Sequence, residues 1–199
     1  MRDSYLVLGV KMTRMACLAL ALVLGASGTS VAEIRSPQGG TCPFTVTGSL
    51  AGGDLQESPR LFRADPPSTC AAPQVCEGPS GTGPYFYDEY IFVNGGATNC
   101  VTVALTSNCA APGTFSLHAS AYLFPFTPGP ATMCTNFLAD IGNSPADGDP
   151  PKTFSFDVAP GAQFVVVVNH ITVGGTCPSY TLDVTGCEVP VSLQGFTIE

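Results

Sequence analysis

The cysteines of this chain constrain its fold more than any other feature. Nine occur in 199 residues, and one of them, Cys17, lies in an apolar N-terminal stretch. The other eight do not fit a zinc site, because no pair shows the Cys-x-x-Cys spacing and no histidine flanks a pair at finger spacing. An even number in an exported chain predicts four disulfides, for which 105 pairings are possible. These cysteines are Cys42, Cys70, Cys76, Cys100, Cys109, Cys134, Cys177 and Cys187.

Residues 1–32 have the three parts of a signal peptide. Basic residues precede the apolar stretch Met15–Ala26, and Ser30–Ala32 supplies small side chains for cleavage after Ala32. The apolar stretch is shorter than the roughly 20 residues of a membrane helix, so we expect no membrane span after cleavage. The predicted location is therefore secreted, extracellular or cell-surface, with the periplasm as an alternative.

The charge of the mature chain excludes one class of partner. Cleavage removes three of the 7 Lys and Arg and one of the 15 Asp and Glu. The remaining 4 basic and 14 acidic residues give a net charge of −10. Such a surface repels phosphate backbones, and four scattered basic residues form no footprint for DNA or RNA. We therefore expect no nucleic acid partner.

Apolar residues alternate with polar ones in segment after segment, and no long amphipathic helix is visible. This period of two predicts strands with one buried face, and turn residues separate them. Strands in succession without crossover helices favour an all-β, two-sheet antiparallel β-sandwich, stapled by disulfides. The buried faces are those of Phe44, Val46 and Gly48; Tyr90 and Phe92; Val101, Val103 and Leu105; Phe115, Leu117, Ala119, Ala121 and Leu123; Phe154, Phe156 and Val158; and Tyr180, Leu182 and Val184.

The run Phe164–Val168 departs from this alternation because both of its faces are apolar. Five apolar residues are too few to cross a membrane, so the run indicates a strand that is covered on both sides. One face enters the core between the sheets. The other face, with Val165 and Val167, needs a cover from the 134–140 segment or the long 58–84 loop, or it forms an exposed contact patch.

No complete catalytic motif is present. The sequence has no Gly-x-Ser-x-Gly and no His-Glu-x-x-His, and the predicted disulfides use every mature cysteine. His118 lies on the polar face of a strand, where we expect it to be exposed, and His170 ends a strand, where a bond to backbone is expected. We therefore predict that the protein is not an enzyme. An alternative is a small secreted hydrolase that combines either histidine with Asp88 or Asp140.

Calcium is the one ligand that the sequence suggests. Asp147 and Asp149 flank Gly148 in a loop, and carboxylate oxygens are the ligands that Ca²⁺ prefers. The rest of an EF-hand loop is absent. A weak calcium site at this pair is therefore predicted beside its alternative, a solvated acidic turn. For Asp88 and Asp140 we expect structural hydrogen bonds rather than metal binding.

An ordered set of segments resembles the exported bacterial β-sandwich modules of the pre-peptidase C-terminal type and their cysteine-bearing, uncharacterised relatives. The set covers about 120 residues, and it ends in a Phe-x-Phe strand, a Pro-Gly turn, an apolar strand and Tyr-Thr-Leu. Its segments are Ser68–Cys76, Tyr87–Phe92, Cys100–Leu105, Cys134–Ser144, Phe154–Val168 and Cys177–Gly186. The resemblance implies a jelly-roll-like sandwich with an accessory role. No protease domain is present here, so a free-standing module is expected.

The same resemblance implies a set of disulfides: Cys70–Cys76, Cys100–Cys109, Cys134–Cys177 and Cys42–Cys187. The expected domains are a signal peptide (1–32), the sandwich (33–187) and a C-terminal tail (188–199). The expected function is a non-catalytic module with a binding, adhesion or structural role, and its partner is an extracellular protein or polymer. A calcium-dependent adhesin and the small hydrolase remain the alternatives.

Overall fold

The computed structural model of the protein describes residues 38–39 and 42–187, which form strands and turns. The predicted signal peptide and the tail at 188–199 lie outside the described residues. No helix long and apolar enough to span a membrane is found in the described part. The strands are β1 (Gln38–Gly39), β2 (Phe44–Leu50), β3 (Leu55–Glu57), β4 (Arg60–Leu61), β5 (Pro79–Ser80), β6 (Tyr85–Val93), β7 (Asn99–Ser107), β8 (Leu117–Leu123), β9 (Phe137–Asp140), β10 (Lys152–Val158), β11 (Gln163–His170) and β12 (Cys177–Thr185).

Two sheets carry the fold. Sheet A has the order β1-β6-β11-β8-β9, with β3 also paired to β6, and sheet B has the order β10-β7-β12-β2. Strands β4 and β5 form a separate short ladder. All of the pairs are antiparallel except the two-residue pair of β1 with β6. The predicted all-β, disulfide-stapled antiparallel sandwich is therefore confirmed.

The main core lies between the sheets and is built mostly from the alternating residues that the sequence singled out; for Phe115 and Leu123, which are 55 % and 38 % exposed, the predicted burial is wrong. On β7, Val101, Val103 and Leu105 are fully buried, while Thr102 and Ala104 between them face the other way. Aromatic side chains join the two sheets: the ring centroids of Phe156 on sheet B and Phe164 on sheet A are 5.6 Å apart. Burial of these apolar surfaces at about 25 cal/mol per Å² is the dominant stabilising contribution.

Sheet A has a second core on its outer face. Val165 and Val167 on β11 are 0 % and 1 % exposed, although they point away from sheet B. They pack in one cluster with Leu61, Phe126 and Met133, which belong to the chain segments that cross this face. We call these segments, residues 58–80 and 124–137, the cover. The long 58–84 loop contributes to the cover as predicted, whereas Phe126 and Met133 come from residues before the predicted 134–140 segment. The run is therefore not an exposed patch.

The eight cysteines form four pairs: Cys42–Cys187, Cys70–Cys100, Cys76–Cys134 and Cys109–Cys177. The implied pair Cys42–Cys187 is confirmed, and it joins the beginning of β2 to the end of β12, which are neighbours in sheet B. The implied pairs Cys70–Cys76, Cys100–Cys109 and Cys134–Cys177 are wrong.

Strand geometry explains why Cys100 and Cys109 do not pair. Strand β7 is extended from Asn99 to Ser107, and at about 3.3 Å per residue its two ends are far beyond disulfide reach. Strand β12 runs antiparallel to β7, with Tyr180 opposite Ser107. The beginning of β12 therefore places Cys177 beside Cys109.

The position of the cover explains the other two corrections. Cys134 lies in the cover on the outer face of sheet A, whereas Cys177 belongs to sheet B, so a whole sheet separates them. Cys134 instead pairs with Cys76, and this disulfide joins the two halves of the cover. Cys70 lies against sheet B, where its backbone N–H donates to a serine hydroxyl of β10, and there it meets Cys100 of the neighbouring strand β7.

Candidate functional site

Polar groups collect on the outer face of sheet A, next to the apolar cover. Among the described residues, three buried polar atoms have no hydrogen-bond partner: Glu57 Oε1, Arg63 Nε and His118 Nδ1. Burial lowers the pKa of His118, and the charges of Arg63, Arg60 and Lys152 lower it further. Buried polar atoms are nearly always paired in native proteins. The three unpaired atoms therefore make this region a candidate functional site.

His118 is fully buried in this region. It is 0 % exposed, so the prediction that it is solvent-exposed is wrong. The outer face of β8 is polar in sequence but is buried by chain segments that the alternation does not reveal. Nε2 donates to the carbonyl oxygen of Gly142 at 3.1 Å and lies 3.9 Å from Asp140 Oδ1. Burial, with the nearby Arg63, lowers the pKa of His118 to about 3, so its ring is neutral at pH 7.

His170 is the last residue of β11, and its side chain bonds to the backbone two residues further along the chain. Nδ1 accepts the N–H of Thr172 at 3.0 Å, and the ring packs against Gly175, where a side chain would collide with it. The residue is 7 % exposed, and burial lowers its pKa. The expected backbone-bonded histidine is confirmed. Neither histidine bonds to a serine or threonine hydroxyl within the described chain.

Asp140 and Asp88 have structural partners, as expected. Asp140 Oδ1 accepts the backbone N–H of Gly142 at 2.5 Å, although burial raises the pKa of Asp140 to about 6. Asp88 Oδ2 accepts the hydroxyl of Tyr180 at 2.6 Å, and the Tyr180 hydroxyl is also 2.6 Å from that of Tyr90. This second network joins sheet A to sheet B across the core.

Asp147 is fully buried and organises two loops. Its Oδ1 accepts the hydroxyl of Ser107 and the backbone N–H of Cys109, at 3.2 Å for the latter. Its Oδ2 accepts the hydroxyl of Ser116 at 2.6 Å. The carboxylate therefore ties the loop after β7 to the segment that enters β8. Sequence reasoning selected this residue but did not foresee that role.

Asp149, the other predicted calcium ligand, lies on the exposed side of the same loop. The two carboxylates do not fall in a group of three acidic, histidine or cysteine ligands within the described residues. A calcium ion at Asp147 would share the carboxylate with the three donors named above. Calcium binding at this pair stays a prediction.

We expect Asp147→Asn to lower the free energy of unfolding by about 2–3 kcal/mol, because the amide cannot accept all three donors and carries no charge. Asp149→Asn at the exposed position is the matched control and is expected to lie within about 0.5 kcal/mol of the wild type in the absence of calcium. Urea unfolding in EDTA measures both values. A loss at Asp149 as large as that at Asp147 would contradict the structural role.

Beside the buried cluster lies a surface pocket with a volume of ≈ 450 Å³. Its size is typical of small-molecule sites. The pocket is formed where the 63–65 segment of the cover, the segment before β8 and the loop after β9 meet. Its lining residues are Arg63, Asp65, Phe115, Asn143, Ser144 and Lys152. We call it the Arg63 pocket.

The charged residues of the Arg63 pocket differ in their partners. Lys152 Nζ lies 3.2 Å from Asp65 Oδ1 and donates to the carbonyl oxygen of Asn143 at 2.8 Å. Asp65 also accepts the backbone N–H of Asn143, and these bonds hold the pKa of Asp65 below its ordinary value. Arg63 donates from a terminal nitrogen to the neutral hydroxyl of Ser144 at 2.9 Å. Arg63 is thus a cation without a carboxylate partner in the described chain.

Sequence reasoning missed the Arg63 pocket. Its residues come from three distant parts of the chain, and no local motif joins them. The one available signal was the scarcity of basic residues: the mature chain has only Arg35, Arg60, Arg63 and Lys152. In a chain with so few basic residues, each of them is a candidate for a specific structural or binding role.

One group of potential metal ligands occurs in the described residues. Cys70, Cys100 and Asp157 have ligand atoms within 4.8 Å of one another. The two sulfurs are joined as a disulfide, and a disulfide sulfur is not the thiolate that binds a metal. The group is therefore a structural staple of β7 to the 68–70 segment.

Comparison with known proteins finds similar solved structures. No family model and no curated protein matches the sequence. The structure is similar to the pre-peptidase C-terminal domain of a collagenase from Bacillus anthracis, with a TM-score of 0.43 and 15 % identity over 75 % of this chain and 95 % of that one. That domain is of the type that the sequence resembles.

A second similar structure is CorA, a surface-associated copper-binding protein of Methylomicrobium album BG8. The TM-score is 0.37 and the identity 9 %, over 76 % of this chain and 98 % of that one. At such identities the likeness concerns the fold alone. The ligands of these proteins carry no information about the ligand of this chain.

Proposed function

We propose that this chain is an exported, non-catalytic module that binds an extracellular protein or polymer. The observation that carries the proposal is the state of the two histidines. His118 is fully buried and His170 nearly so, and both rings are hydrogen-bonded to backbone rather than poised beside a nucleophile. General acid–base catalysis requires such a group within hydrogen-bond reach of a substrate.

The Arg63 pocket supports a binding role over a purely structural one. It offers a cation without an anionic partner, neutral hydrogen-bonding groups and an aromatic side chain, which together can recognise a ligand. Four disulfides support export, because such frameworks persist in oxidising compartments.

The test is a pull-down with the oxidised mature protein, residues 33–199, against the cell-envelope fraction of the source organism. We expect recovery of a specific partner that reduced and alkylated protein does not retain. A parallel experiment in EDTA separates a calcium-dependent adhesin, whose partner is lost on chelation, from a calcium-independent module. Recovery of no partner in either condition would contradict the binding role.

The hydrolase alternative is tested on the same preparation. We expect no turnover of ester, amide or glycoside reporter substrates above that of a His118→Gln, His170→Gln double variant. Activity that disappears in the double variant, while the fold persists by circular dichroism, would overturn the non-catalytic assignment.

A further inference from the structure

The basic side chains of the described residues are concentrated in one region. The described residues contain three basic side chains, Arg60, Arg63 and Lys152, against a background of carboxylates. Arg63 and Lys152 line the same pocket, and Arg60 is close enough to lower the pKa of Arg63 together with burial. Elsewhere the surface repels anions, so the Arg63 pocket is the place where an anion is attracted.

The charge balance of the pocket suits a single negative charge. Asp65 neutralises Lys152 through their ion pair, which leaves Arg63 as the uncompensated charge of the lining. A monoanion completes the charge balance of the lining residues. The planar guanidinium also matches a carboxylate, which it can bind with two parallel hydrogen bonds.

The rest of the lining indicates the body of the ligand. Phe115 is 55 % exposed, and its backbone is held by the bond of Ser116 to Asp147 and by the bridge of Phe115 to Ala146. An exposed ring fixed at the rim of a pocket is a platform for the apolar face of another ring. Ser144 and Asn143 add hydroxyl and amide groups, which pair with ligand hydroxyls.

We propose that the Arg63 pocket binds a sugar acid, with its carboxylate on Arg63 and its pyranose face on Phe115. A hexuronate has the three required features: one carboxylate, one ring with an apolar face and several hydroxyl groups. The inference rests on the proposed binding role and deepens it, because it names the chemistry of a ligand as a uronate-containing polymer.

The test is calorimetric titration of the oxidised mature protein with sodium glucuronate at low ionic strength. Glucose shares the ring and lacks the carboxylate, acetate has the carboxylate without the ring, and inorganic phosphate tests for a different anion. We expect saturable binding of glucuronate, none of glucose, and binding of acetate and phosphate that is weaker by about tenfold or more. Tighter binding of phosphate, or of N-acetylphenylalanine as a peptide-like carboxylate, would overturn the assignment to a sugar acid.

Two variants locate the site. Arg63→Gln and Phe115→Ala are each expected to weaken glucuronate binding by about tenfold. Phe124→Ala is the matched control, because Phe124 is also exposed, at 43 %, but lies at the far end of β8, and it should bind as the wild type does. Phe115 is largely exposed, so its variant keeps the test valid if Arg63→Gln fails to fold.

The outcomes separate this inference from the proposed function. Wild-type affinity in both pocket variants, or absence of saturable glucuronate binding, would overturn the sugar-acid site. If the envelope partner is then still recovered equally by wild type and Phe115→Ala, the binding role stands without this ligand. Loss of the envelope partner in Phe115→Ala, with glucuronate competing for it in the wild type, would support both.

Discussion

A variant with Cys76→Ser and Cys134→Ser is expected to lose about 4 kcal/mol of unfolding free energy. The bridge spans 58 residues, so its removal returns a large loop entropy to the unfolded chain. It also joins the two halves of the cover above Val165 and Val167. We therefore expect the variant to bind the apolar dye ANS more strongly than the wild type, while urea unfolding measures the stability loss.

The matched control removes a bridge that does not join the two halves of the cover, because it ties Cys70 of the 58–80 half to Cys100 of sheet B. Cys70→Ser with Cys100→Ser opens a loop of 30 residues and is expected to lose about 3.5 kcal/mol by the same entropy argument. Its dye binding should remain near that of the wild type. Equal dye binding by the two variants would contradict the proposed role of Cys76–Cys134 in closing the second core.

Glu57→Gln is expected to stabilise the protein by roughly 4 kcal/mol at pH 8 and above, and to have little effect at pH 4. Burial raises the pKa of Glu57 from 4.5 to about 8, although Arg60 partly offsets this rise. Between these values the folded protein holds a proton that the unfolded chain has released. Wild-type stability therefore falls as the pH rises through this window, and glutamine removes that contribution.

The measurement is urea unfolding of wild type and variant at several pH values between 4 and 9. Only the difference between the two proteins is interpreted, because His118 and Asp140 also titrate differently in the folded state. Glu77→Gln, at an exposed glutamate, is the control and should follow the wild type at every pH. A difference for Glu57→Gln that does not change with pH would show that this side chain is ionised in the folded protein.

The sandwich itself was predictable because side-chain alternation reports directly on burial. Residues such as Val103 and Leu182 face the core as their parity requires. The two apolar faces of β11 likewise required a cover. Alternation failed on β8, where His118 and Ser120 look like a wet face but are buried. A polar residue paired inside the fold has the same appearance in sequence as one in solvent.

Disulfide pairing and the Arg63 pocket depend on relations that no local pattern contains. Cys109 finds Cys177 only because β7 and β12 run in opposite directions side by side. Arg63 and Lys152 line one pocket only because the 63–65 segment of the cover lies against the loop after β9 and the beginning of β10. Asp147 was recognisable as a notable residue, yet three donors from distant positions decide what its carboxylate does.

The bridge between Cys42 and Cys187 has a mechanical consequence. These residues are 145 positions apart, but their Cα atoms are only 5.4 Å apart. Tension applied to the chain before Cys42 and after Cys187 would load the two-residue pair of β1 with β6 and then pass through the covalent bridge, rather than through the hydrogen bonds of the strands between the two cysteines. The enclosed sandwich, with its pocket, is thereby shielded from stretching, and its shape is independent of any pull transmitted along the flanking chain.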